Sequence, residues 1–427
     1  MEHQRVIVQW MEFKIPEVLP RQAQAKLPTD FITTITGPRR AGKTYFCFQL
    51  IKQLLRKGIP PGNILYINFE DEKLLRAEAE DLNRLLDTFH ELSEIDEKQE
   101  IYLFLDEIQN VKDWDAWVRR IHDTQENINL VLTGSSSKLL SKEISTKLRG
   151  RTLNTEIYPL SFKEFLSWRG IDYDLKTISY SKKRFPVKKE FSSFLSGGGY
   201  PAALLNEELR DDILQGYFES MIFREVVERY NIKEIKKLRI LAGLLFESAT
   251  KDISYNKLAN KLKSLGYGLS KNTIIEYISH FEDAYLFFQN LKYEYSLTKQ
   301  LGSIKKVYCI DNGLLNAVSF KFSEDLGKLM ENLVFIELLR RNKRVYYHRK
   351  NHECDFLLKE KSRIVEAIQV TEELNDESRS REMAGLIEAM ETHNLSQGTI
   401  LTHEGEGVEQ IRDKIIQIKP LWKWLLE

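Results

Sequence analysis

Cysteine is scarce: Cys47, Cys309 and Cys354 are scattered along 427 residues and odd in number. With no CxxC and no Cys/His cluster at zinc spacing, the pattern excludes a disulfide framework and a structural zinc site. A reducing cytosol is the expected setting. Proline (10) and glycine (21) are too few for a fibrous or linker-dominated chain. Neither charge sign is in excess, since 63 Lys+Arg cancel 63 Asp+Glu. Global charge therefore points to no nucleic-acid partner, and only local patches can. No apolar run approaches the roughly 18 residues of a membrane span. The start, Met1-Glu2-His3-Gln4-Arg5, is not a basic region leading into an apolar stretch. No membrane partner is expected, and the expected location is cytoplasmic. No repeat with a period of about 20–50 residues is present either.

What the chain does have is enough apolar matter to fold. Hydrophobic residues make up 42% and aromatics 11% of it, which excludes intrinsic disorder. The length suggests two or three domains. Up to Tyr158 the pattern alternates strand and helix. Strands are expected at 31–36, 64–69, 101–105, 130–133 and 152–158, and helices at 43–57, 70–92 and 114–122. Such alternation argues for an α/β fold with a parallel sheet covered by helices on both faces. Ile101–Leu105 is apolar throughout, as befits a strand buried on both sides. Helical patterning then runs to about Tyr230, interrupted by Gly197-Gly198-Gly199-Tyr200-Pro201. The expected divisions are 1–158, 159–232, 233–320 and 321–427.

Gly37-Pro38-Arg39-Arg40-Ala41-Gly42-Lys43-Thr44 fits GxxxxGK[ST] between an expected strand and an expected helix, the context that gives this motif its meaning. Its glycines let backbone N–H groups curl around phosphate oxygens at a helix N-terminus. Lys43 would reach the β- and γ-phosphates of ATP, and Thr44 would hold Mg²⁺. Tyr45 follows directly, and Arg40 is a further candidate contact to a phosphate or a partner. Some 60 residues on, Tyr102-Leu103-Phe104-Leu105 ends in Asp106-Glu107. Asp106 can assist Mg²⁺ through water, and Glu107 can deprotonate the attacking water. Thr133-Gly134-Ser135-Ser136-Ser137 offers either a hydroxyl that senses the γ-phosphate or a serine cap for a following helix. Arg149 and Arg151 are either arginine fingers, in cis or across a subunit interface, or solvated surface charges.

These residues carry a resemblance. GPRRAGKT, LFLDEIQN, LTGSSSKLLSKEISTKLRGR, YPLSFKEFL, GGYP and FREVVERYNI occur in that order. Together they resemble the AAA+-type ATPases of archaea and bacteria in which a P-loop NTPase core is fused to a nuclease-like C-terminal domain. The resemblance spans essentially the whole chain. It implies a core of the additional-strand type, in which another strand separates the Asp-Glu strand from the phosphate-loop strand. It also implies a helical lid at 159–232 and a winged helix at 233–320. On this reading Thr133 or Ser135 is the sensor, and Tyr200 and Pro201 lie near the nucleotide base. Pathways in this family are mostly unassigned.

In the middle segment a helix is expected over Ile253–Leu265 and another over Lys271–Phe281, capped by Ser270. An apolar hairpin follows, Tyr285–Leu291 with Lys306–Ile310. This is a winged-helix pattern, which serves either DNA reading through Lys271, Asn272 and Thr273 or packing as a lid. Beyond it, the order helix with Glu331, strand with Asp355, then Ile364–Thr371 resembles the PD-(D/E)XK nuclease core of the restriction-endonuclease-like fold. There Glu331 and Asp355 would bind a divalent ion. The usual Glu-x-Lys is replaced by Gln369 and Thr371, two apart and hence on one strand face. Glu366 has the opposite parity. Gln369 can ligate a metal only weakly and Thr371 cannot do a lysine's work, so a binding-only fold is favoured over an active nuclease. The run 340–350, basic and interleaved with tyrosine, points to nucleic acid or to an ordinary solvated surface.

Two functions are expected from these residues. One is an Mg²⁺-dependent ATPase that couples nucleotide state to nucleic-acid binding, DNA foremost. The other is a regulatory ATPase whose C-terminal domains bind a protein partner or another copy of the chain.

Overall fold

The structure, a computed structural model, describes residues 2–134, 146–148, 150–319 and 325–427, with backbone alone at residue 377. It divides into two compact units, Met1–Tyr158 and Pro159–Glu427.

The first unit begins with helix α1 (Glu2–Glu12) and continues through β1 (Ile32–Thr36), α2 (Lys43–Arg56), β2 (Ile64–Asn68), α3 (Ala79–Leu92), β3 (Ile101–Asp106), α4 (Trp114–Thr124), β4 (Ile128–Thr133) and β5 (Thr152–Glu156). Its five strands lie in the order β2-β3-β4-β1-β5, and every pairing is parallel. β4 therefore separates β3 from β1. Alternate residues of the strands feed two cores. Leu103, Leu105, Leu130 and Leu132 pack with Leu85, Phe89, Trp117 and Ile121 of α3 and α4. Tyr102, Phe104 and Val131 pack with Phe46, Leu50, Ile51 and Leu54 of α2. Both faces are thus buried, which is why these strands read as continuous apolar runs.

One expectation fails locally. The helix expected over 70–92 starts only at Ala79. The Asp71 carboxylate accepts from Lys73 N and caps a short 3-10 turn, Glu72–Leu74. Arg76 then takes a positive φ of 67° that no α-helix can continue through.

The second unit opens with helices Phe162–Trp168, Arg184–Gly197, Pro201–Leu205, Arg210–Ser220 and Ile235–Glu247, with a π-helical stretch at Met221–Glu228. A three-stranded sheet follows, β6 (Asp252–Ile253), β7 (Phe287–Leu291) and β8 (Lys305–Cys309), in the order β6-β8-β7. It carries helices Tyr255–Ser264 and Lys271–Asp283, the second capped by the Ser270 hydroxyl. Ile253, expected within the first helix, instead pairs with Lys305 as strand.

Helix Leu326–Arg340 leads into a six-stranded mixed sheet: β9 (Arg344–Arg349), β10 (Glu353–Glu360), β11 (Arg363–Val370), β12 (Gln397–Thr402), β13 (Gly407–Ile411) and β14 (Lys414–Pro420). The order is β13-β14-β12-β11-β10-β9, with helix Asp376–Thr392 between β11 and β12 in sequence. No helix among the described residues is long and apolar enough to cross a membrane.

Candidate active site

The chain leaves β1 at its C-terminal edge and turns through Gly37–Gly42 into α2. Gly37 has φ 142°, and a Cβ there would lie 2.1 Å from the Ile157 carbonyl oxygen. Gly42, with φ 99°, sits in the left-handed region directly before the helix. Only glycine meets both demands without strain. The Lys43 side chain is buried, and its Nζ lies 3.3 Å from the Gly37 and Pro38 carbonyl oxygens, so the ammonium is folded over the loop. Arg39 pairs with Glu70 at 3.3 Å, Arg40 is exposed with φ 66°, and Tyr45 is exposed on the first turn of α2.

A residue without a sequence signal secures this loop. Arg21, in the proline-punctuated segment before β1, is buried. It donates to the Ala41 carbonyl at 2.7 Å and the Tyr158 carbonyl at 2.6 Å. A single guanidinium thereby ties the loop to the chain leaving β5. Nothing in the local pattern marks an arginine there for burial.

At the end of β3 the Asp106 carboxylate is encircled by hydroxyls. Thr44 Oγ1 donates to Oδ2 at 2.8 Å and the Tyr66 hydroxyl to the same oxygen at 2.6 Å, while Thr133 Oγ1 donates to Oδ1. Glu107 follows with φ 56°, and its backbone N donates to Thr133 Oγ1 at 3.0 Å. Its carboxylate accepts from Gln109 Nε2 at 2.5 Å. Burial pushes the Glu107 pKa up and neighbouring Asp106 adds to the rise, while the Lys43 ammonium opposes it. A buried carboxyl poised in this way suits general base work.

Thr44 and Asp106 present hard oxygen donors close together, the donor chemistry that Mg²⁺ takes, with the remaining ligands coming from water and phosphate. When bound, the ion would neutralise charge on the phosphates. Lys43, Thr44, Asp106, Glu107 and Thr133 thus converge at the C-terminal edge of the sheet. Ser135 and Arg149 lie outside the described residues. Arg151 is at the other edge. Thr152 pairs with Ile32 and Glu156 with Thr36 in parallel, so Arg151 lies about 16 Å from the loop by strand rise alone. Its guanidinium pairs with Asp123 at 3.0 Å. A finger acting in cis from Arg151 does not fit this place, whereas a surface charge paired with Asp123 does.

Tyr200, expected near the nucleotide base, belongs to the second unit. It is fully buried there, and its ring lies 5.3 Å from that of Tyr217 and its hydroxyl meets Met221 Sδ. Pro201 is the first residue of its short helix.

In the second unit Glu331 and Asp355 do come together, lining a cavity of about 740 Å³ with Gln369 and Thr371. A cation already stands between them. Lys306 Nζ of β8 lies 3.0 Å from Glu331, 2.6 Å from Glu353 and 2.9 Å from Asp355. Burial opposes the ammonium's charge, but the carboxylates, led by Asp355, hold its pKa well up. The Glu331 carboxyl, which also accepts from the Tyr308 hydroxyl at 2.7 Å, is pushed up to about 8 by burial, against the pull of Lys306.

Gln369 as a metal ligand is corrected. Its Oε1 accepts from Asp355 N at 3.2 Å and its Nε2 donates to Glu382 at 2.5 Å, so the amide is committed on both sides. No cluster of three or more His, Cys, Asp or Glu suited to a metal occurs among the described residues. The sequence reading missed Lys306, Glu353 and Glu382. Lys306 precedes Tyr308 by two on one strand, a shared-face spacing that could have linked them.

Several cations of the basic run 340–350 pair with carboxylates of the same chain, while Arg344 stays exposed. Arg340 and Arg341 both bind Glu337, Lys343 binds Glu360, and Arg349 binds Asp252 and Glu353. His348 meets Glu388 at 2.9 Å, and Lys350 reaches Thr392 at 3.3 Å. This favours the surface reading of that run over a nucleic-acid contact.

Three domain families match the chain: an AAA domain over residues 29–166, a domain of unknown function (DUF8612) over 188–325 and another (DUF4143) over 326–424. The uncharacterized protein MJ1544 of Methanocaldococcus jannaschii is 39% identical over 426 residues, covering 97% of this chain and 92% of that protein. An uncharacterized protein of Haemophilus influenzae is 33% identical over 340 residues, covering 79% of this chain and 82% of that one. Among solved structures the chain is similar to the Walker-type ATPase PABY2304 of Pyrococcus abyssi, at 13% identity and a TM-score of 0.44, covering 74% of this chain and 94% of that one.

Proposed function

We propose, for a chain that belongs to the same family as MJ1544 and carries an AAA domain, that its first unit hydrolyses ATP to ADP and phosphate with Mg²⁺. The observation that carries the reading is the meeting of Lys43, Thr44, Asp106 and Glu107 at one sheet edge. The loop amides and Lys43 bind the phosphates, and Thr44 with Asp106 supplies the metal side. Glu107 takes a proton from the attacking water as its oxygen bonds to the γ-phosphorus and the bond to ADP breaks. Arg151, with Arg149 beside it in sequence, acts as a finger toward a neighbouring copy, which makes a homo-oligomer part of the proposal. Arg151→Ala should then slow turnover without weakening ATP binding.

The second unit, on this reading, passes nucleotide state to a partner. Helices Tyr255–Ser264 and Lys271–Asp283 with β7 and β8 form a winged helix. Between residues 251 and 271 five lysines (Lys251, Lys257, Lys261, Lys263, Lys271) are exposed against one acid, Asp252. That surface suits the phosphate backbone of DNA, with Lys271 opening the second helix. The C-terminal sheet is a nuclease-like fold that no longer cuts, because the Lys306 ammonium stands where the two carboxylates would hold a metal.

The alternative, a switch that binds a protein partner through this unit, is favoured by the internal pairing of the run 340–350. DNA affinity measured against salt separates the two. Phosphate contacts through this surface should give a steep loss of affinity as salt rises, reduced in Lys271→Ala. No binding at low salt would sink the DNA reading and leave the protein-partner switch.

A further inference from the structure

The Tyr66 hydroxyl donates to Asp106 Oδ2 at 2.6 Å, although Tyr66 belongs to the neighbouring strand β2 and no sequence motif includes it. Tyr66 pairs in register with Phe104, two residues before Asp106. Its ring is held from two sides: the Phe48 ring of α2 lies 5.1 Å away and the Trp10 ring of α1 lies 5.6 Å away. Trp10 is anchored in turn by its indole N–H, which donates to the Ile64 carbonyl at 2.7 Å. The phenol therefore has little freedom to turn away from the acid.

We infer that Tyr66 is a positioning residue for the metal side of the ATPase site, holding the Asp106 carboxylate in the orientation that Mg²⁺ binding requires. The inference rests on the ATPase reading above. Three hydroxyls bind Asp106, and they are not equivalent. Thr44 is itself a metal-side residue, so its hydroxyl has a second task. Thr133 serves Oδ1 and also receives Glu107 N. The Tyr66 hydroxyl is the nearer donor to Oδ2, at 2.6 Å against 2.8 Å for Thr44, and its ring is fixed by Trp10 and Phe48 independently of the Thr44 hydroxyl that it also adjoins. A neutral donor aimed at a carboxylate oxygen fixes the plane of the group.

The test uses the full chain, a non-hydrolysable ATP analogue and Mn²⁺ as the spectroscopic probe, with free Mn²⁺ read by electron paramagnetic resonance. Tyr66→Phe keeps the ring between Trp10 and Phe48 and removes only the hydroxyl. It should lower Mn²⁺ affinity about tenfold, the effect typical of losing a group that orients a metal ligand. Binding of a fluorescent ADP without metal should stay at the wild-type value, and the melting temperature should stay within a few degrees of it. Tyr66→Leu, which also lacks the hydroxyl, should lower Mn²⁺ affinity to the same extent and serves if the phenylalanine variant folds poorly. Unchanged Mn²⁺ affinity in a folded variant overturns the inference, as does an equal loss of metal-free nucleotide binding, which would mark general distortion. If the wild type with the analogue holds no Mn²⁺ at all, the ATPase reading itself falls, a result distinct from a failure of the variant alone.

Discussion

Thr133 Oγ1 donates to Asp106 Oδ1 and accepts the backbone N–H of Glu107 at 3.0 Å. The last residue of β4 thereby holds both acids at the end of β3. Because β4 is the strand inserted between β3 and β1, it lies where its terminal hydroxyl can face the phosphate loop and the acids together. Thr133→Ala should cut ATP turnover by about tenfold to a hundredfold while leaving nucleotide binding near wild type. Thr133→Ser, which keeps the hydroxyl, should recover most of the loss. Equal loss in both variants would assign Thr133 to packing.

Glu107 gives a pH prediction. Burial raises its carboxyl above the ordinary value of about 4.3. A general base works only when deprotonated, so turnover should fall as pH drops through this raised value, well before an exposed glutamate would titrate. The ATPase pH profile, with nucleotide saturating at every point, checks this. An acid limb at the ordinary carboxylate range would contradict the assignment.

Lys306 is the hinge of the second unit's electrostatics. Lys306→Met leaves Glu331, Glu353 and Asp355 facing one another without their ammonium. Removing one partner of a buried ion cluster costs about 3–5 kcal/mol. Thermal melting should show that loss near neutral pH. The single variant Glu331→Gln carries its own signature. Its wild-type carboxyl, pushed up to about 8 in the fold, titrates near 4.3 when unfolded. Its stabilising contribution is complete below about 4.3 and is lost as pH rises through 8. Wild type and variant should therefore melt alike at low pH, and the variant should gain on the wild type as pH approaches 8. A gap independent of pH would show that the cluster holds no such proton.

The first unit was legible in the sequence because its signals are local. Continuous apolar strands, a glycine loop ahead of a helix and two acids at a strand end each sit within a few residues of one another. Arg21 and Tyr66 were not legible. Each acts on the site from a distant stretch of chain, Arg21 on Ala41 and Tyr66 on Asp106, and neither lies in a pattern of its own. The second unit reversed the sequence's emphasis. In the eye-catching basic run 340–350, Arg340, Arg341, Lys343 and Arg349 pair with Glu337, Glu360, Asp252 and Glu353, while Arg344 and Lys350 stay exposed. The decisive cation is Lys306, an ordinary-looking residue in a hairpin strand. Gln369 and Thr371 line the cavity, as does Val370 between them, and only the fold shows that Glu382 and the Asp355 amide already engage the Gln369 side chain.

The most direct measurement of the central claim is phosphate release by wild type, Lys43→Ala and Glu107→Gln, each paired with fluorescent ATP binding. The account predicts Mg²⁺-dependent turnover in the wild type. It predicts neither binding nor turnover in Lys43→Ala, and retained binding with turnover lowered about a hundredfold or more in Glu107→Gln. Turnover at the wild-type rate in Glu107→Gln, or a wild type that binds no ATP, would contradict it.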